Sequence, residues 1–135
     1  MKIVIAGGGE VGFHLAKLLS FESLDITLID IDKERLNYAE SHLDIKTLSG
    51  NALSIAMLKD ALVENASLFI AVTSLEATNI TLASLAKQMG AQRTIARISN
   101  LEFRQPDQGV DFKAMGIDDL ISPEELAALE IQQLL

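Results

Sequence analysis

A glycine-rich stretch near the beginning of the chain constrains the fold more than any other feature of the sequence. Residues 7–12 read Gly-Gly-Gly-Glu-Val-Gly, which matches the pattern G-x-G-x-x-G, and they directly follow an aliphatic run at residues 3–6. Apolar residues then recur at helical spacing over residues 10–20. Asp30 ends the next β-branched run, at about the 20-residue distance that a dinucleotide-binding unit requires. This arrangement predicts a Rossmann-like fold that binds a dinucleotide at the glycine turn.

The glycines of the motif are needed for different physical reasons. Gly7 allows a tight turn after the strand, Gly9 lets the backbone approach a pyrophosphate, and Gly12 lets the helix and strand pack closely. The helix that begins here also offers free backbone N–H groups and the positive end of its dipole to an anion. The turn is therefore predicted to bind the phosphates of a nucleotide.

Asp30 indicates which nucleotide the turn prefers. Its carboxylate would accept hydrogen bonds from the hydroxyls of the adenosine ribose and would repel a phosphate on the 2′ oxygen. We therefore expect NAD(H) to be favoured over NADP(H). Lys33 and Arg35 lie close enough in the sequence to weaken that preference.

Short β-branched or aliphatic runs alternate with amphipathic segments along the whole chain. Residues 67–72 are apolar at nearly every position, which is typical of a strand buried on both faces of a parallel sheet. The pattern predicts an α/β fold, a doubly wound parallel sheet of about six strands with helices on both faces. Strands are expected at residues 3–6, 25–30, 45–48, 67–72, 94–98 and 120–121, with helices at 10–20, 33–41, around 55–62, 76–89 and from 123. Residues 100–116 have the poorest periodicity and are predicted as a loop with at most one helix.

Composition limits the classes of function that remain. The chain has 135 residues, 49% of them hydrophobic, which fits one packed domain. A net charge of −8 argues against a nucleic-acid partner, and the chain contains no cysteine for a disulfide, a thiolate nucleophile or a metal. The first apolar run is far shorter than the roughly 18 residues of a membrane span, so no direct membrane insertion is expected. His14, His42 and Tyr38 lack the spacing of a metal site or a reductase, so no catalytic group is predicted.

Several short segments besides the glycine motif carry a more specific resemblance. They are residues 28–32 (Leu-Ile-Asp-Ile-Asp), 50–52 (Gly-Asn-Ala), 71–73 (Ala-Val-Thr) with Glu76 and Asn79, 95–98 (Ile-Ala-Arg-Ile), and 121–124 (Ile-Ser-Pro-Glu). Together they resemble the nucleotide-binding N-terminal domain of the RCK or KTN family, most closely the TrkA-type cytoplasmic regulators of bacterial potassium uptake. The likeness runs over the whole chain, although that family usually has Asp where Asn51 stands and matches residues 102–117 poorly.

The resemblance implies a role for each matching position. It places the glycines at the phosphates, Asp30 at the ribose, and Asn51 and Ala52 at the adenine. It places Thr73 and Glu76 beyond the pyrophosphate, and Arg97 at a phosphate or a neighbouring subunit. The expected cofactor-binding set is Gly7, Gly8, Gly9, Glu10, Val11, Gly12, Asp30, Ile31, Asp32, Asn51, Ala52, Thr73, Glu76 and Arg97, with NAD(H) or ATP/ADP as the ligand.

The resemblance also implies a non-enzymatic function. The expected protein is a nucleotide-sensing regulatory subunit that gates a membrane potassium channel or transporter through rearrangement of a homodimer or higher oligomer. It would lie in the cytoplasm, at the inner face of the membrane through that partner. Residues 1–122 would form the Rossmann domain and residues 123–135 a crossover helix that dimerises, and the chain is expected to be part of a longer protein. The alternatives are the NAD-binding domain of a dehydrogenase separated from its catalytic domain and, less favoured by the strict glycine pattern, a methyltransferase.

Overall fold

The computed structural model describes residues 1–128. Six strands and five helices alternate along this part of the chain. The strands are β1 (Lys2–Ala6), β2 (Asp25–Asp30), β3 (Lys46–Ser49), β4 (Leu68–Ala71), β5 (Thr94–Arg97) and β6 (Asp119–Ile121). The helices are α1 (Glu10–Ser20), α2 (Lys33–His42), α3 (Ile55–Asp60), α4 (Glu76–Met89) and α5 (Pro123–Ala128).

All six strands join one parallel sheet in the order β3-β2-β1-β4-β5-β6. β1 lies inside the sheet, with Ile5 opposite Leu28 of β2 on one side and Ile70 of β4 on the other. The doubly wound parallel sheet predicted from the sequence is therefore confirmed. Apolar runs buried on both faces require this arrangement, because helices must cover both sides of the sheet.

Alternate residues of each strand point to the two faces of the sheet and build two separate cores. Ile3 and Ile5 of β1 face the layer formed by α1, α2 and the start of α5. Val4 and Ala6 face the opposite layer, which α3 and α4 cover. Burial of both layers holds the carboxyl edge of the sheet, where the loops after the strands meet, in a defined position.

The observed boundaries differ most from the predicted ones in the helix that follows β3. The helix expected around residues 55–62 stops at Asp60, and a separate 3₁₀ turn follows at Val63–Asn65. Leu62 between them has φ of 58°, so the chain cannot continue as one helix there. The 100–116 segment is mostly loop and contains one short 3₁₀ turn at Leu101–Arg104.

The C-terminal helix is only partly within the described residues. Leu126 is fully buried in the core layer beside α1. The sequence continues with the apolar residues Leu129, Ile131, Leu134 and Leu135, and these residues and the side chain of Ala127 lie outside the part of the chain that the structure describes. The predicted crossover role of residues 123–135 therefore stays a prediction.

Candidate functional site

A cleft of about 630 Å³ opens at the carboxyl edge of the sheet. The loops after β1 and β4 leave the neighbouring strands in opposite directions, which creates the crevice where open α/β sheets bind ligands. The cleft falls within the 300–1,000 Å³ range of small-molecule sites. The loops after β1, β2, β3 and β4 contribute to its wall, together with Arg97, the last residue of β5.

The glycine turn is built by close backbone packing. Gly7 has φ of +118°, and a Cβ there would lie 2.9 Å from the backbone of Val72 and Thr73. A Cβ on Gly12 would lie 1.7 Å from the carbonyl oxygen of Gly7. These two positions therefore need glycine for the fold itself, whatever the cleft binds.

Asp30 clamps this turn to the end of β2. Its side chain is 8% exposed, and one carboxylate oxygen accepts a hydrogen bond from the backbone N–H of Gly8. The other oxygen accepts from the N–H of Asp32 at 2.7 Å. Asp32 in turn caps α2, since its side chain accepts from the N–H groups of Glu34 and Arg35. Each Asp30 oxygen keeps a second lone pair with which it can accept from a ligand hydroxyl.

Gly9 differs from the other glycines because space remains beside it. The nearest atom to a Cβ built there is Nη1 of Arg35, at 3.8 Å. Gly9 is also the N-cap of α1, and no side chain caps the first N–H groups of this helix. Glu10 and Val11 of the first turn line the cleft next to it. The helix therefore presents uncapped N–H donors at an open position, which is the geometry that an anion requires.

The loop after β3 forms the wall beyond Asp30. The N–H of Gly50 donates to the carbonyl oxygen of Asp30 at 2.9 Å, which ties the two loops together. Asn51 is exposed, and its side-chain oxygen accepts from the N–H of Leu53 at 3.0 Å. Ala52 and Ile31 complete this wall, and Ile31 is 75% exposed. A flat apolar group such as a base would find an apolar surface at this end of the cleft.

A buried asparagine on α4 organises the opposite wall. Asn79 is 1% exposed and accepts hydrogen bonds from the N–H and the hydroxyl of Thr73, at 2.9 and 2.6 Å. Its amide donates to the carbonyl oxygens of Thr73 and Arg97, both at 3.0 Å. Arg97 contacts the carbonyl oxygens of Val72 and Thr73 at 3.5 Å. Asn79 thus holds the ends of β4 and β5 in register at the cleft.

Most of the expected site residues meet in this cleft, and four do not line it. Those in the lining are Gly7, Gly9, Glu10, Val11, Asp30, Ile31, Asn51, Ala52, Thr73 and Arg97. Gly8 and Asp32 donate their backbone N–H groups to the Asp30 carboxylate, and Gly12 packs against the backbone of Gly7. Glu76, expected beyond the pyrophosphate, instead accepts hydrogen bonds from the N–H groups of Ser99 and Asn100, because it begins α4 beside the chain leaving β5.

The lining also includes Leu53, Ser74, Leu75 and Thr78, to which the sequence pattern gave no site role, and Arg35, which was expected only to weaken the preference set by Asp30. They lie in the first turn of a helix or in the turn before it, so their distance from a predicted strand end is the signal that could have found them. The charged lining residues are Glu10, Asp30, Arg35 and Arg97, two acids and two bases. Within residues 1–128 no cluster of His, Cys, Asp and Glu side chains could hold a metal ion. No helix in the same part of the chain is long and apolar enough to cross a membrane.

Comparison of the sequence with known proteins identifies relatives along its whole length. The family model described as the TrkA-N domain matches residues 3–123. The chain is 37% identical over 135 residues to a Trk system potassium uptake protein TrkA homolog from Methanothermobacter thermautotrophicus, covering all of this chain and 60% of that protein. It is 38% identical to another TrkA homolog from Archaeoglobus fulgidus, again over all of this chain but only 30% of the relative.

Solved structures share the same fold. The TrkA-N domain of the inner membrane protein ybaL from Escherichia coli superposes with a TM-score of 0.76, at 18% identity, over 99% of this chain and 96% of that one. GsuK bound to ADP matches with a TM-score of 0.71 at 26% identity, over 94% of this chain and 31% of GsuK. The GsuK channel bound to NAD gives 0.70 at 18% identity, over 89% and 21% of the two chains. With the family model matching nearly the entire sequence, the chain belongs to the TrkA-N family of domains.

Proposed function

We propose that this domain is a non-catalytic sensor that binds NAD(H), or the adenine nucleotides ADP and ATP, in the cleft at the carboxyl edge of the sheet. The observation that carries the proposal is the pairing of an open, uncapped α1 N-terminus at Gly9 with the buried carboxylate of Asp30. The first suits phosphates and the second suits ribose hydroxyls, and both face one cleft.

Each part of the proposed ligand has its own residues. The pyrophosphate would bind at Gly7, Gly9 and the first turn of α1, and the ribose at Asp30. The adenine would lie against Ile31, Asn51 and Ala52, and the far end of a dinucleotide would extend toward Thr73 and Arg97.

Two kinds of relatives support the proposed ligand and the proposed link to potassium uptake. GsuK, a structural neighbour, has been solved with NAD and with ADP. Curated relatives are named as Trk system potassium uptake proteins, and this chain spans 60% or less of the two compared above. We infer that the domain belongs to a longer cytoplasmic regulator, which assembles with further copies of itself beneath a membrane potassium transporter or channel and responds to the bound nucleotide.

Calorimetric titration with NADH, NADPH, ADP and ATP tests the ligand. We expect NADH to bind more tightly than NADPH because of Asp30, and we expect Gly9→Ala to lower the affinity for every ligand by about tenfold or more, because its methyl group occupies the phosphate position. Thr81→Ala, on the exposed face of α4, is the control and should bind like the wild type. Absence of binding of all four nucleotides to a folded wild-type protein would refute the proposal.

A further inference from the structure

We propose that Arg35 sets how far the cleft tolerates a phosphate on the ribose 2′ oxygen. This inference rests on the proposed nucleotide site and assigns a specificity role within it. The side chain belongs to the first turn of α2, directly after the strand that ends in Asp30.

The guanidinium of Arg35 lies over the two carboxylates at the ribose end of the cleft. Nη1 is 3.8 Å from an Asp30 oxygen, and Nε is 3.6 Å from an Asp32 oxygen. Neither contact is a short, bidentate pair of the kind that holds an arginine firmly. The side chain is 56% exposed, so it can change partner at little cost in burial.

The same guanidinium also faces the empty space of the glycine turn. Arg35 is in the lining of the cleft, and its Nη1 is the nearest atom to the missing side chain of Gly9. A ribose held by Asp30 would therefore place its 2′ oxygen within reach of Arg35. Planar guanidinium groups bind phosphates in a bidentate way, which gives this contact both strength and direction.

No other cation in the described lining is placed to do this. Arg97, the second one, lies at the end of β5 and contacts the carbonyl oxygens of Val72 and Thr73. Lys33 is exposed on the first turn of α2 but does not line the cleft. Arg35 is thus the lining residue whose charge opposes that of Asp30 at the ribose.

The balance of charges predicts that Arg35 contributes differently to the binding of two kinds of ligand. With a 2′-hydroxyl, as in NADH or ADP, Arg35 stays over Asp30 and Asp32 and adds little. With a 2′-phosphate, as in NADPH, the guanidinium turns to the phosphate and offsets the repulsion from Asp30. Without Arg35, two carboxylates would face the phosphate alone.

The experiment compares NADH, ADP and NADPH on the wild type, Arg35→Ala, Arg35→Lys and the charge-matched control Lys33→Ala. We expect Arg35→Ala to weaken NADPH about tenfold or more, the size of a lost charge-assisted hydrogen bond, and NADH and ADP less than about threefold. Arg35→Lys should recover part of the NADPH affinity. Lys33→Ala should leave the ratio of NADPH to NADH affinity unchanged, because it removes the same charge outside the cleft.

The outcomes separate this inference from the proposed site. Equal losses of NADH and NADPH affinity in Arg35→Ala, an unchanged ratio, or a wild type that binds NADH but no NADPH would each overturn the role of Arg35. Failure of the wild type to bind any nucleotide would instead overturn the site on which it rests. Melting temperatures of the ligand-free variants, expected within a few degrees of the wild type, exclude a folding defect as the cause.

Discussion

At the scale of single residues, glycines of one motif serve two distinct purposes. Gly12 has no room for a side chain, whereas the nearest atom to a Cβ on Gly9 lies at 3.8 Å. We expect Gly12→Ala to lower the free energy of unfolding by about 3 kcal/mol or more, through overpacking against backbone. Gly9→Ala should cost less than about 1 kcal/mol, since its φ of −71° suits alanine and only the capping preference is lost.

Chemical denaturation of the ligand-free proteins measures this difference. A Gly12→Ala protein as stable as Gly9→Ala would mean that α1 can shift away from Gly7 at no cost. We expect Gly12→Ala to be the less stable variant, and Gly9→Ala to be folded but weak in nucleotide binding. That result would show that Gly12 is needed for packing and Gly9 for the ligand.

Asp30 illustrates how one residue takes on a structural role that its motif does not specify. The motif predicts a ribose acceptor at this position. In the structure the same carboxylate also accepts from the N–H groups of Gly8 and Asp32, twenty-two residues before and two after it. A substitution at Asp30 therefore changes the glycine turn together with the ribose site, which makes Arg35 the cleaner probe of specificity.

At the scale of elements, the half-buried carboxylate of Asp118, just before β6, connects the last strand to α4. Asp118 accepts from the ammonium of Lys87 at 2.9 Å and from the N–H of Thr94 at 2.8 Å. Burial alone raises the pKa of Asp118, but these hydrogen bonds outweigh it and hold the pKa below its ordinary value of 3.8. Folding thus favours the ionised form, and the resulting stability is present above that ordinary value and is lost as the pH falls through the lower folded pKa.

The matched test is Asp118→Asn against Asp44→Asn, an exposed aspartate in the turn before β3. We expect Asp118→Asn to be less stable at pH 7 by about 1–2 kcal/mol, with a gap that narrows below about pH 4 as the wild-type carboxylate becomes protonated. Asp44→Asn should stay within about 0.5 kcal/mol of the wild type. A gap for Asp118→Asn that is constant from neutral to acid pH would show that its charge does not contribute.

The start of α5 is stabilised by two of its own side chains. Ser122 caps the helix, accepting from the N–H of Glu125 at 3.2 Å, and Glu125 accepts in return from the N–H of Ser122 at 3.1 Å. This reciprocal pair is a capping box. The Ser122 N–H and then the Arg104 guanidinium lower the pKa of Glu125. Arg104 thereby ties the loop after β5 to α5, a contact that no local pattern indicates.

At the scale of the whole molecule, we expect assembly through the C-terminal segment of residues 129–135, whose sequence is rich in Leu and Ile. Leu126, which lies within the predicted crossover helix of residues 123–135, is fully buried against the core. The start of the helix at Pro123 therefore packs on its own domain through Leu126, and we place the expected partner surface in the segment that follows residue 128. We expect the 135-residue chain to form a dimer or higher oligomer and a chain ending at Ala128 to be monomeric.

Light scattering at micromolar concentration decides between these states. Ending at Ala128 rather than before Pro123 keeps Leu126 in the core, so a change of mass cannot be ascribed to a damaged fold. A monomeric 135-residue protein, or a shorter chain that still dimerises, would contradict the prediction. Melting curves of both chains should agree within a few degrees.

The sequence by itself determined the features that depend on short stretches of chain. The glycine turn, the acidic end of β2, the alternation of strands and helices and the capping box of α5 all follow from local sterics and hydrogen bonding, and they predict the doubly wound sheet and its cleft. Only the tertiary structure decided how distant residues meet: Asn79 between the ends of β4 and β5, and Glu76 at the chain after β5. Those placements depend on how α4 packs on the sheet, and a linear pattern carries no distance between segments that touch only after folding.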